Sequence, residues 1–138
     1  MDFGTVGWRL RLVFSVRSGR EAGAVVLWLR GELDHHSVVQ LEDATDGLPD
    51  GGDVVVVDLG AVTFCDSSGL SGLVRLGQVL ATRGAVLRLA GVPAGMLKTL
   101  SLTGLDQVLH VFPDVAGAAR ADVGDEVGAA TGGDGDGS

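Results

Sequence analysis

The chain has 138 residues and a single cysteine, Cys65, enough for one domain with a real core and excluding any internal disulfide, which fits a reducing cytoplasm. Its apolar residues, 46% of the total, come in short runs well below the ~20 needed to cross a bilayer, and the start MDFGTVGWRL lacks a secretory pattern, so a cytoplasmic protein without a membrane partner is expected. Of the net charge of −8, residues 121–138 contribute −5 through Asp122, Asp125, Glu126, Asp134 and Asp136, and an acidic remainder without a Lys/Arg cluster argues against nucleic acid as a partner.

Leu10, Leu12, Phe14 and Val16 alternate with Arg9, Arg11, Val13 and Ser15, the period of a half-buried strand over Arg9 to Arg17. A turn over Ser18 to Gly23 leads to AVVLWLRG, Ala24 to Gly31, whose β-branched and aromatic residues predict a second strand forming a hairpin with the first. Ser37 and Gln40 have the spacing of a capping box, and Val38, Leu41, Thr45 and Leu48 then share one helical face. The stretch Pro49 to Gly52 breaks that helix. Asp53 is followed by VVVVDL, an unbroken run suited to a strand buried on both faces.

Ser67 to Arg83 reads as a helix ended by Gly84, and Ala85 to Gly91 as a further strand. Pro93 starts a short helix to about Leu102, closed by Gly104. Val108 to Phe112 reads as a last strand, and Pro113 opens a last helix to about Ala121. Alternating strands and helices imply parallel pairing with right-handed crossovers, to which the hairpin adds an antiparallel pair. The expected fold is therefore α/β, one domain with a mixed, mostly parallel sheet of about five strands and about four helices. Residues 1–8 form an extension, 9–121 the domain, and 122–138 an acidic, Gly-rich tail expected to be disordered.

The segment Phe64-Cys65-Asp66-Ser67-Ser68-Gly69-Leu70 joins the buried strand to the long helix and puts two hydroxyls at the helix start. Unpaired N–H groups and the partial positive charge of a helix N-terminus suit a phosphoserine there. The plainer reading is that Asp66 and Ser67 only cap the helix. At 100° per residue, Leu70, Leu73, Val74, Gly77, Leu80 and Ala81 form a core stripe, whereas Gly69, Gly72, Leu76 and Val79 fall opposite. Those four are expected to leave a flat docking patch beside the serines, unless another helix covers it.

Gly31-Glu32-Leu33-Asp34-His35-His36-Ser37 together with Asp66-Ser67-Ser68-Gly69-Leu70 resemble the anti-sigma factor antagonists, the bacterial STAS-domain proteins, over about Arg9 to Ala121. The resemblance implies a four-helix, mixed-sheet domain that binds an anti-sigma factor which is also an ATP-using serine kinase. Binding releases the sigma factor, phosphorylation of Ser67 dissolves the complex, and a serine phosphatase resets it. It also implies contacts from Asp34, His35 and Ser37 to the kinase; Asp66, Ser68 and the projected patch of Gly69, Gly72, Leu76 and Val79 are expected as further partner-binding residues. Spacing alone leaves Ser67 and Ser68 equal candidates; the resemblance favours Ser67, and Ser71 adds a third hydroxyl one turn on.

Catalysis by the chain itself is not expected, because the Gly-x-Ser-x-Gly elbow is missing around the serines. Neither nucleotide-binding glycine motif is present, so no cofactor is expected and ATP belongs to the partner. Asp34, His35 and His36 are too close in sequence for a conventional metal set. Cys65 is expected to be a packed, inert thiol. The alternative function is a STAS-like subunit that is not phosphorylated and serves as a scaffold in a stress-signalling complex or lipid transporter, with Ser67 only a cap.

Overall fold

In the computed structural model, residues 14–48 and 53–121 are described. The parts of the expected elements at 9–13 and 49–52, the extension 1–8 and the tail 122–138 lie outside the described residues.

The opening hairpin is made by β1 (Phe14–Glu21) and β2 (Ala24–Leu33), paired antiparallel from Phe14 opposite Gly31 to Glu21 opposite Ala24. Its turn is only Ala22-Gly23, both with positive φ, as a two-residue hairpin turn requires. β1 thus runs four residues past the expected end at Arg17. Residues Ser18 to Glu21 are polar or small, but on an edge strand exposed side chains cost little and the ladder to β2 holds them.

β3 (Val54–Cys65) lies parallel to β2, followed by β4 (Val86–Ala90) and β5 (His110–Phe112), giving the spatial order β1-β2-β3-β4-β5. The VVVV run is the centre of the sheet: Val55, Val56 and Val57 are buried on alternating faces. Three helices cross between the parallel strands: α1 (Val38–Asp46), α2 (Ser67–Thr82) and α3 (Ala94–Thr103). A single 3-10 turn over Leu105–Gln107, absent from the sequence expectation, follows α3. The final helix, α4 (Val115–Arg120), starts two residues after Pro113 because Asp114 is its N-cap and accepts the Gly117 N–H at 2.7 Å.

The two faces of the sheet are covered unequally. The larger core joins Leu27, Leu29, Leu33, Leu41, Val55, Val57, Leu59, Leu73, Leu80, Leu89 and Leu100 on the side of α1, α2 and α3. The smaller core lies on the other side, where Ala118 of α4 meets Ala24, Val26, Val56 and Ala90. At that second face Arg88 is fully buried, donating to the carbonyls of Ala118 at 2.7 Å and Ala121 at 2.8 Å, with its guanidinium 5.4 Å from the Phe112 ring centre. A cation there satisfies the last carbonyls of α4 and opposes the negative end of its dipole. The sequence reading placed Arg88 in a strand and gave it no role.

Candidate functional site

β3 ends at Cys65 and α2 begins two residues later, so Asp66 alone makes the corner. Its extended backbone (φ −95°, ψ −173°) lets the carboxylate accept the Gly69 N–H at 2.9 Å, the expected cap. The Asp66 N–H donates to the Leu33 carbonyl at 3.2 Å, tying this corner to the end of β2. The starts of α1 and α2 therefore stand side by side at the C-terminal edge of the parallel strands, where open α/β sheets place their functional groups.

Ser67 is exposed in the first turn of α2, and Ser68 is half-buried. Asp66 rather than Ser67 makes the capping bond, so the cap gives the Ser67 hydroxyl no structural task. Ser67 opens onto a groove shared with Ser71, Arg75, Gln78, Thr103 and Leu105. The first-turn N–H groups and the positive end of a 16-residue helix lie beneath it. Burial thus separates the two serines that spacing could not, leaving Ser67 the more accessible.

The neighbouring loop is built around Asp34 and Ser37. The Asp34 carboxylate accepts the backbone N–H groups of His36 and Ser37, each at 3.0 Å, and the N–H of Ser37 is the largest influence holding its pKa below the ordinary carboxylate value. Partial desolvation opposes that shift, and the Ser37 hydroxyl and the His36 N–H reinforce it. The Ser37 hydroxyl donates to the Glu32 carbonyl at 2.6 Å and accepts the Asp34 N–H at 2.9 Å.

This arrangement corrects two expectations. Ser37 makes no side-chain cap bond to α1, because its hydroxyl is turned back into the loop, so the capping box with Gln40 does not form. It is also buried, at 4% exposure, and so belongs to the frame of the loop rather than its surface. Asp34 is half-buried, and His35 is exposed with its ring centre 3.9 Å from that of His36, the two planes tilted by 39°.

The flat patch on α2 is corrected as well. Gly69, Gly72 and Leu76 are buried in the fold and only Val79 is exposed, because α1 packs on this side. A Cβ on Gly72 would run into Val38 of α1, and one on Gly69 would sit 2.5 Å from the Leu33 carbonyl and 2.8 Å from Cys65 Sγ. The small residues at this helix crossing permit close approach rather than exposure. On the core stripe, Leu70, Leu73 and Leu80 are buried as expected, Val74 and Gly77 are half-buried, and Ala81 is exposed.

Burial pushes the Cys65 thiol up to about 11, with the Asp66 carboxylate adding to the shift. It is half-buried, and its S–H donates to the Asp66 carbonyl at 3.6 Å. Beside it Phe64 is 53% exposed, as is Val39 of α1 at 51%, so large apolar side chains flank the Ser67 corner on both sides. The sequence reading used Phe64 only to place the motif.

A family model described as "Mlab, STAS domain" matches residues 16–111. Among solved structures, an anti-sigma factor antagonist from Mycobacterium paratuberculosis is 24% identical with a TM-score of 0.68, the match covering 78% of this chain and 95% of that one. A sulfate transporter family protein from Wolinella succinogenes is 21% identical with a TM-score of 0.61, covering 68% and 80%. The anti-sigma factor antagonist SpoIIAA in its unphosphorylated form is 19% identical with a TM-score of 0.56, covering 82% and 97%. These three likenesses bear on the fold. No curated protein matches.

Proposed function

Since the chain belongs to the STAS domain family, we propose that it is an anti-sigma factor antagonist, a binding module whose partner is an anti-sigma factor serine kinase and whose switch is phosphorylation of Ser67. The observation that carries this reading is the Ser67 hydroxyl, exposed at the positive end of α2 while Asp66 does the capping. Solved neighbours of the same fold include two anti-sigma factor antagonists, which supports a protein partner in a signalling pathway.

In the unphosphorylated state the partner docks on the edge formed by the Asp34-His35 loop and the start of α2. Its bound ATP supplies the phosphate, which adds about −1.5 to −2 charges and three acceptor oxygens to the Ser67 oxygen. Asp66 lies beside Ser67, so the added phosphate is repelled by that carboxylate, and its bulk and charge disturb a partner packed on this surface and cost the complex its fit. A serine phosphatase restores the free hydroxyl. The chain itself does no chemistry in this cycle. Its contribution is an accessible nucleophilic oxygen held in a fixed turn.

The test is binding before and after modification. A chain immobilised in the unphosphorylated form is expected to retain an ATPase with serine kinase activity from its own cells, and Ser67→Asp to retain at least tenfold less. Equal retention of that kinase by both forms would contradict the switch. A second reading, a constitutive scaffold subunit of a transport assembly, is favoured by the family description and by the sulfate transporter neighbour. It predicts recovery with membrane transport components and no effect of Ser67→Asp.

A further inference from the structure

β1 forms one rim of the sheet: among the described residues no strand lies outside it, and its eight residues make it the longer rim, since β5 has three. Its ladder to β2 runs from Phe14 to Glu21 without a bulge, and the strand holds no proline. Bulges and prolines are two of the devices that keep rims from pairing. The hairpin also fixes which backbone groups are spent. Across the two-residue turn, Glu21 and Ala24 exchange both of their bonds, so Glu21, Gly19, Arg17 and Ser15 turn their N–H and C=O groups toward β2. Arg20, Ser18, Val16 and Phe14 turn theirs outward.

The side chains of this rim carry charges that the chain itself leaves unpaired. No ion pair joins Arg17 or Glu21 to another described residue, and both are exposed. The Arg17 guanidinium lies 4.8 Å from the Trp28 ring centre, which directs it along the α4 face of the sheet. Glu21, four residues along the same strand, shares that face. Between them Gly19 has no side chain to hold a second strand away.

Two antiparallel copies of β1 related by a two-fold axis meet only in registers centred on a residue, because any other faces outward groups with groups already spent. Centring on Arg17 or on Arg20 sets an arginine against its own copy, which is unfavourable. Centring on Ser18 brings no opposite charges together. Centring on Gly19 sets Arg17 of each copy opposite Glu21 of the other, and the outward groups of Ser18 and Arg20 then bond to those of Arg20 and Ser18.

We propose that β1 is a homodimerisation edge, to which a second copy of this chain adds its own β1 antiparallel across an axis at Gly19, joining two five-stranded sheets into one. The occupant is a second copy because the charge pattern is complementary to itself. Charges that guard a rim with a single sign repel a copy; these attract it. The contact is small beside the ~1,200 Å² and more that hold stable complexes, so the dimer forms at high concentration. The inference does not rest on the reading of Ser67.

Sedimentation equilibrium of the full chain, at concentrations up to about 1 mM that reach a weak contact, tests the pairing. The parent is expected to approach the dimer mass as concentration rises. Arg17→Glu and Glu21→Arg, each alone, set like charges against each other at both pairs and are expected to weaken association at least tenfold. Mixed in equal amounts, the two variants restore opposite charges at both pairs, and association is expected to return to the parent's level. Ser18→Pro removes an outward N–H that β2 does not use, and is expected to stay monomeric with an amide spectrum that shows the fold intact. A parent chain that remains monomeric at about 1 mM would overturn the proposal. So would a mixture that associates no better than its components, or Ser18→Pro dimers as tight as the parent's, since the copies then meet elsewhere.

Discussion

Cys65 and Ser67 lie two residues apart, and their environments give them opposite fates. Ser67 stands in solvent at a helix start, where an added anion is stabilised by backbone N–H groups and the helix dipole. Cys65 is turned into the packing between β3 and α2, and desolvation pushes its thiol up to about 11. The fold favours the neutral thiol, so that contribution is fully present below the ordinary value of 9.0 and fades as pH rises toward about 11. Iodoacetamide is therefore expected to alkylate the native chain slowly at pH 8, at least tenfold below the rate in the unfolded chain, with the native rate climbing only above pH 10. A native rate at pH 8 equal to the unfolded one would show an open thiolate. The residue types made the corner legible in the sequence, since Asp before Ser-Ser-Gly reads as a cap. What the sequence could not give is which hydroxyl remains unburied, because that depends on how β2, α1 and β3 meet around Leu33 and Asp66.

At the scale of elements, the glycines of α2 carried a signal that can be read in two ways. Periodicity placed Gly69, Gly72 and Leu76 opposite the leucine stripe, and from one helix alone that side looks exposed. The second helix decides the matter: Val38 of α1 occupies the space a Gly72 side chain would need. Gly72→Ala gains up to ~1 kcal/mol of helix propensity, yet the overpacking costs ~1–3 kcal/mol, so a net loss is expected in urea denaturation. Val38→Ala in the same chain should recover most of the Gly72→Ala loss, giving a clear coupling energy in the double-mutant cycle. Additive losses would mean the two residues do not meet. The strongly periodic α2 was placed to within a residue, and the unbroken VVVVDL run marked β3, which continues past it to Cys65. The boundaries that moved, at Glu21 and Val115, were set by a strand ladder and by the Asp114 cap rather than by composition.

Across the whole molecule, the sheet is covered on one side by three helices and on the other by six residues of α4. Arg88 makes so short a helix hold, because its buried guanidinium joins β4 to the final carbonyls of α4. The sequence places Arg88 in a strand, and nothing local shows that a helix nearly thirty residues later supplies its acceptors. Arg88→Met keeps the aliphatic stem and removes the donors, leaving buried carbonyls unpaired at ~1–3 kcal/mol. It is expected to lower stability by about that amount and to speed amide exchange throughout α4 while β2 and β3 stay protected at their own level. Unchanged exchange in α4 would show that its apolar contacts suffice. The Arg88 contacts with α4 lie on the face of the sheet opposite α1 and α2, so they and the candidate switch, at the edge where α1 and α2 start, can be varied separately.

That edge is where the functional account is most exposed to test. The chain, incubated with ATP and the kinase it retains, should be followed by intact mass spectrometry with fragmentation to place the modification. One phosphate on Ser67, and none on the Ser67→Ala chain under the same conditions, is the predicted result. A phosphate that persists in Ser67→Ala, on Ser68, Ser71 or elsewhere, or a parent chain that takes up none while the same kinase phosphorylates another substrate, would contradict it.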